Sequence, residues 1–183
     1  MKRIILTALG ISFCLSVTLF AHPRVDFSHP RFQTKQMSVA ERLGYARDAK
    51  LLIVHADDLG MAHSVNAATI KGFESGLVNS GSIMVPCPWL SEIATYARSH
   101  PEADLGLHLT LTSEWTSYRW GPVLPRDRVA SLLDKNSYLY LTESEAASHA
   151  SVKEVEAEIR AQIERARSFG IQPTPPAWRC SFP

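Results

Sequence analysis

Cysteine is scarce in this 183-residue chain: Cys14, Cys87 and Cys180 are too few and too scattered for a disulfide framework or a zinc ribbon. Charge of one sign is lacking as well, with 19 Lys+Arg against 18 Asp+Glu and a formal net charge of +1. That balance excludes a strongly basic nucleic-acid binder. A hydrophobic fraction of 45% and a charged fraction of 20% exclude a disordered tail, a collagen and a coiled coil. No internal repeat or low-complexity segment occurs, and long apolar runs are limited to one, residues 4–20.

That run follows Met1-Lys2-Arg3 and ends at Ala21, before polarity returns at His22-Pro23-Arg24. A positive start, an apolar stretch and a small residue form the layout of a secretory signal peptide. At 17 residues the run sits at the short edge of spanning length. Residues 1–21 are therefore read as a cleaved leader rather than a stable membrane anchor, and the protein as exported, periplasmic or secreted. Loss of Lys2 and Arg3 leaves 17 basic residues against 18 acidic, so nothing argues for an anionic partner.

Residues 22–49 read as an N-terminal arm with a short helix near residues 39–46. Beyond it the pattern alternates. Leu51-Leu52-Ile53-Val54 is a continuous apolar run, the signature of a strand buried on both faces, closed by a polar turn His55-Ala56-Asp57-Asp58-Leu59-Gly60. Ser64 is the expected N-cap of a helix presenting Val65, Ala68, Thr69 and Phe73, with Gly76 as its stop. Residues 82–85 form a second strand, 89–99 a second helix, and 105–111 a third strand. Residues 112–150 read as irregular apart from a helix around 128–133. Ser151-Val152-Lys153-Glu154 predicts a capping box opening a helix whose apolar face is Val155, Ile159, Ile163, Ala166 and Phe169. Alternating strands and helices imply an α/β fold with mainly parallel strands, and its chemistry belongs where those strands end.

Two strand ends carry candidates. Asp57 and Asp58 are adjacent carboxylates, which at a turn reach one pocket, one free as a base and the other available to a metal. A helix N-cap or an Asx-turn is the alternative. His108 shares its alternating face with Gly106 and Thr110, small residues that leave room for a ligand beside the ring; a hydrogen-bonded core histidine is the alternative. Trp115, Tyr118 and Trp120 offer aromatic faces for stacking on sugar rings, or for packing under the insertion. His55 reads as packed, His63 as exposed beside the helix cap, and Cys87 as a small buried residue without a base beside it.

The order of Ala56-Asp57-Asp58-Leu59-Gly60-Met61, Ser64-Val65-Asn66, Ser80-Gly81-Ser82-Ile83-Met84-Val85 and Gly106-Leu107-His108-Leu109-Thr110-Leu111-Thr112 resembles the YdjC-like carbohydrate deacetylases. The resemblance spans residues 50–174 and implies an incomplete (β/α)-barrel-like deacetylase domain. It implies metal-dependent hydrolysis of the N-acetyl group of an amino sugar or oligosaccharide; the charge balance already argues against a nucleic-acid partner. Carried over by position, Asp57 is the general base, and Asp58 and His108 ligate one divalent metal ion, magnesium or zinc. Trp115 and Trp120, in the insertion after the His108 strand, are the candidate sugar contacts, read from their place in the chain. The family's third ligand is expected after Thr174 in a Pro-Thr-His type of motif, where this chain reads Pro175-Pro176 and has no histidine after His149. Residues 175–183 are therefore read as an aberrant tail; four of the eleven prolines fall in the last eleven residues, 173–183, as a frameshift after the Thr174 codon would produce, and a short paralogue with a different tail is the alternative. An inactive truncated remnant and a carbohydrate-binding protein are the alternative readings.

Overall fold

The computed structural model describes residues 37–172 and 178–180, so the expected leader, and the arm up to residue 36, lie outside the described residues. The chain divides into two units, Met1–Ala49 and Lys50–Pro183. In the first, helix α1 (Val39–Arg42) is a single turn held by a reciprocal cap. The Ser38 hydroxyl accepts the Glu41 N–H at 3.2 Å, and the Ser38 N–H donates to Glu41 Oε2 at 2.7 Å. It stops short of the expected residue 46 because Gly44, at φ +84°, turns the chain out of the helix.

The second unit runs β1 (His55–Leu59), α2 (His63–Glu74), β2 (Ser80–Ile83), α3 (Leu90–Ser99) and β3 (Leu105–Leu109). An insertion follows, with two 3₁₀ turns (Arg126–Arg128 and Ala130–Leu132) and helix α4 (Glu143–His149). Helix α5 (Val152–Ser168) and strand β4 (Trp178–Cys180) complete it. The strands lie in the order β1-β2-β3-β4 and every neighbouring pair is parallel. Parallel strands in unreversed order, joined through helices, are the winding of a (β/α) barrel; a doubly wound sheet reverses its order at a switch point. The expected α/β class is thus observed, with four strands forming part of a barrel-like wall.

The pleat sorts the two faces of this sheet. Leu59, Ile83, Leu105 and Leu107 belong to a core shared with Leu90, Ile93, Ala94, Ala166 and Ile171. Burying one Leu or Ile side chain of this kind stabilises by about 1.5–3 kcal/mol. The alternate positions of the same strands, Asp57, Ser80, Ser82, Gly106 and His108, are small, polar or titratable. A second core of Met61, Met84, Cys87, Trp120, Val129, Leu132 and Leu139 lies under the insertion.

Several local expectations are corrected. Residues 51–54 are irregular and exposed (Leu52 81%, Ile53 73%), and the strand starts at His55, inside the expected turn. Val54 is the first residue to meet the β2 region: it donates its N–H to Asn79 Oδ1 and its carbonyl accepts the Asn79 N–H at 2.9 Å. An apolar run is buried on both faces only when it is paired, and pairing begins after this one ends. The N-cap of α2 is Ala62 rather than Ser64, and Asn66 and Thr69 are buried while Ala68 is exposed.

Strand β2 begins at Ser80 and ends at Ile83, and β3 ends at Leu109, two residues short of expectation. The helix expected around residues 128–133 is a pair of 3₁₀ turns. Ser151 does precede α5, but its side chain makes no cap hydrogen bond. Its expected partner Glu154 instead accepts the N–H and the hydroxyl of Ser131, each at 2.8 Å. A capping box does form at Thr142 and Glu145, opening α4 in the stretch read as irregular. Residues 178–180 of the expected aberrant tail form β4, with Leu107, His108 and Leu109 opposite Trp178, Arg179 and Cys180.

Candidate functional site

Strand register gathers the candidate residues. His55 lies opposite Ser80 and Ala56 opposite Gly81, while Ser82 lies opposite Gly106. His55, Asp57, Ser80, Ser82, Gly106 and His108 therefore share one face of three adjacent strands. Asp58 would point the other way on a regular strand. The β1–β2 pairing is irregular between Ala56 and Leu59, and Asp58 takes φ +63° there. Asp is among the few side chains that tolerate this left-handed conformation, and the bulge brings its carboxylate to the side Asp57 faces.

The turn behind the pair is clamped. Gly60 has φ +89°, and a Cβ there would meet the Met84 carbonyl oxygen at 3.1 Å. Its N–H donates to Asn66 Oδ1 at 2.7 Å, and its carbonyl accepts the Trp89 N–H at 2.9 Å. Asn66 also donates through Nδ2 to Trp89 O at 3.1 Å and to Glu92 Oε2 at 2.7 Å. Exposed His63 reaches Glu92 Oε1 through Nδ1 at 2.7 Å, which assigns it to this clamp.

His108 Nδ1 stands 3.0 Å from Asp58 Oδ1 and 3.8 Å from Asp57 Oδ1. The Asp58 carboxylate raises the imidazole above its ordinary pKa; burial opposes this, and the charges of Asp58, Asp57 and Glu114 add to it. Asp57 shifts the other way. Burial alone would raise it, but the Ser82 hydrogen bond, the charges of His108 and His55, and the His55 hydrogen bond together hold it below its usual range. The Ser82 hydroxyl donates to Asp57 Oδ1, and His55 Nε2 lies 3.2 Å from the same oxygen.

These groups lie at a cleft of about 500 Å³ that continues past Glu114 and Trp115 to an aliphatic wall on α4 and α5 that includes Ala146, Ala147 and Val155. Trp115, 52% exposed, lines the cleft. Trp120 also borders it but is 5% exposed, with its indole N–H donated to Thr112 O at 2.9 Å, so it is part of the wall. Tyr118 packs edge-on to Trp120 and donates its hydroxyl to Met61 O. Cys87 is buried, and burial, followed by the Asp58 charge, pushes its thiol up to about 12, which removes it as a nucleophile.

A family model described as YdjC-like protein matches residues 51–174. The chain belongs to the YdjC-like family. A carbohydrate deacetylase from Thermus thermophilus is 36% identical over 130 residues, covering 71% of this chain and 44% of that protein. One from Geobacillus stearothermophilus is 34% identical over 122 residues, covering 67% and 46%. A chitooligosaccharide deacetylase from Yersinia enterocolitica is 30% identical over 128 residues, covering 68% and 47%. A crystal structure from Enterococcus faecalis, of a protein named for cellobiose-phosphate cleavage, superposes with a TM-score of 0.59 at 33% identity, covering 66% of this chain and 45% of that one. This YdjC-like chain spans about half the length of the relatives it matches.

Two donors bonded to one divalent ion at about 2.0–2.2 Å, on adjacent positions, stand roughly 3 Å apart. The 3.0 Å between Asp58 Oδ1 and His108 Nδ1 fits that spacing, and a carboxylate with an imidazole suits such an ion. Among the described residues no group of three or more His, Cys, Asp or Glu is gathered to hold a metal. Among them, too, no helix is long and apolar enough to cross a membrane. The sequence reading missed His55, Ser80 and Ser82. Their signal is the serine spacing 80/82 facing 55/57, which becomes readable only once the strand is known to begin at His55.

Proposed function

We propose that this YdjC-like chain carries the base and two metal donors of a carbohydrate deacetylase that hydrolyses the N-acetyl group of an amino sugar or oligosaccharide. The observation that carries the reading is the convergence of Asp57, Asp58 and His108, from neighbouring parts of β1 and β3, on the lining of one cleft. Support comes from relatives named carbohydrate deacetylase and chitooligosaccharide deacetylase. Asp57 is the base: its carboxylate is held in the charged form, half exposed to the cleft, and accepts a proton from water attacking the amide carbonyl. Asp58 and His108 would hold a divalent ion, magnesium or zinc. Such an ion supplies polarisation of the carbonyl and acidification of bound water. Trp115 offers its exposed ring to a pyranose face, and Trp120 backs the same wall. Export through residues 1–21 would place this chemistry in the periplasm or outside the cell, and N-terminal sequencing of the exported protein checks it.

The test is acetate release from N-acetylated chito-oligosaccharides by the full chain supplied with magnesium or zinc. Asp57→Asn is expected to lower turnover by about 10²–10⁴-fold, the range of a general base, while sugar binding, followed by tryptophan fluorescence, is retained. Binding without any acetate release by the unaltered chain would replace this reading with that of a carbohydrate-binding protein.

A further inference from the structure

We propose that His55, braced by Ser80, is a positioning residue that aims the Asp57 carboxylate into the cleft; the inference rests on the assignment of Asp57 as base. The four residues involved form a two-by-two patch across β1 and β2. His55 and Asp57 are two apart on β1, Ser80 and Ser82 are two apart on β2, and His55 is the direct partner of Ser80. Strand register sets Ser80 against the imidazole, and at the bulge that follows the Ser82 hydroxyl meets the Asp57 carboxylate.

The hydrogen bonds have a direction. A carboxylate only accepts, so His55 Nε2, 3.2 Å from Asp57 Oδ1, must carry the proton. In the neutral ring Nδ1 is then the acceptor, and it lies 2.7 Å from the Ser80 hydroxyl, which donates to it. The side chain of His55 is 13% exposed and Ser80 is buried, so water cannot readily substitute for either partner. Ser82 donates to the same Oδ1. Two donors on one oxygen, one along the strand and one across it, fix the rotation of the carboxylate plane. Oδ2 is left outside this pair of bonds as the oxygen that takes the proton. With Ser82 alone the plane could swivel about that single bond, and misplacement of a reacting group by about 1 Å can cost on the order of 10²-fold in rate.

The test uses the full-length chain in two arms. Long-range ¹H–¹⁵N correlation spectra at one neutral pH report the His55 tautomer without any need for turnover. The Nε2–H form is expected in the unaltered chain and a mixture of tautomers in Ser80→Ala; an Nδ1–H form, or a tautomer indifferent to Ser80→Ala, overturns the inference. In the second arm His55→Phe, which keeps a ring but no donor, is expected to lower kcat for acetate release about tenfold with KM unchanged. His55→Gln, which restores an N–H near the Nε2 position, is expected to recover most of that loss. Equal kcat in all three proteins, or no recovery with Gln while all three melt alike, overturns a positioning role. If the unaltered chain shows the Nε2–H tautomer but releases no acetate, the deacetylase reading fails and His55 is reduced to a structural contact; the tautomer arm separates that failure from one of the hydrogen-bond chain.

Discussion

Replacing Gln162 by Leu tests how the end of the His108 strand is held. Two residues beyond His108, Thr110 lies past the end of β3, yet both its backbone groups are bonded to one side chain of α5. Gln162 Oε1 accepts the Thr110 N–H at 3.0 Å, and Gln162 Nε2 donates to Thr110 O at 2.7 Å. The same Nε2 donates to Glu158 Oε1 at 2.9 Å, and Gln162 is fully buried. Leu keeps nearly the same volume but orphans a buried N–H and a buried C=O, and it removes a donor from Glu158. Each orphan costs about 1–3 kcal/mol, and the extra apolar surface buried recovers about 1. The expected net loss is about 1–5 kcal/mol, a large share of the 5–15 kcal/mol typical of a folded domain. Urea unfolding followed by circular dichroism measures it. Arg160→Ala is the control: its exposed pair with Glu156, at 2.7 Å, is worth about 0.5 kcal/mol or less. A Gln162→Leu loss no larger than that of the control would refute the claim that this side chain holds the strand end.

Gly60→Ala should destabilise by about 1–3 kcal/mol, since φ +89° and the Met84 carbonyl 3.1 Å from the new methyl both oppose it; thermal melting checks this. In the metal-free chain the folded pKa of His108 lies above its ordinary 6.5, because of Asp58 foremost. Its stabilising contribution is therefore complete below pH 6.5 and is lost as pH rises through the folded value, so urea midpoints should fall on going from about pH 6 to about pH 8. Asp57 acts oppositely: its folded pKa lies below 3.8, so its contribution is present above that value and is lost as pH falls through the lowered one. Cys87, with its thiol pushed to about 12, should resist alkylation at neutral pH in the folded protein and react only on unfolding, as mass spectrometry of the labelled peptides will show.

The sequence disclosed the alternation of strands and helices because each segment carries its own period: the strict alternation of β3, the helical spacing of Leu90, Ile93 and Ala94, and the stop after α5. It misplaced β1. Leu51-Leu52-Ile53-Val54 has the composition of a buried strand, and His55-Ala56-Asp57-Asp58 that of a turn, yet the polar stretch is the one that pairs. Burial of an apolar run depends on what lies beside it, which no window of sequence contains. Helix α5 shows the same limit in side-chain form. Its apolar positions were legible, but its most buried positions include Glu158 and Gln162. They are buried because the insertion offers backbone N–H groups to them: Val123 and Leu124 donate to Glu158 at 2.8 and 3.0 Å. A polar residue on a helix announces solvent unless its partner, here 35 residues away in sequence, is known.

The candidate site was legible for a different reason. The Asp57-Asp58 pair and His108 stand out in turn or apolar surroundings, where a titratable group demands an explanation. What joins them is a backbone event, the bulge that sets Asp58 at φ +63° and turns two neighbouring carboxylates to one side. Asp-Asp in a turn is common, and its composition does not distinguish a bulge from an N-cap. The groups that tune the pair were hidden for the converse reason: Ser80 and Ser82 look like ordinary small residues of a tight strand. Their hydroxyls become meaningful only through the register that sets them against His55 and Asp57. Titratable residues are conspicuous by type, whereas the residues hydrogen-bonded to them are conspicuous only by position. In this fold those hydrogen bonds are set by strand pairing, so a one-residue slip of β1 against β2 would turn Asp57 to the opposite face and dismantle the candidate site while leaving every residue of it in the chain.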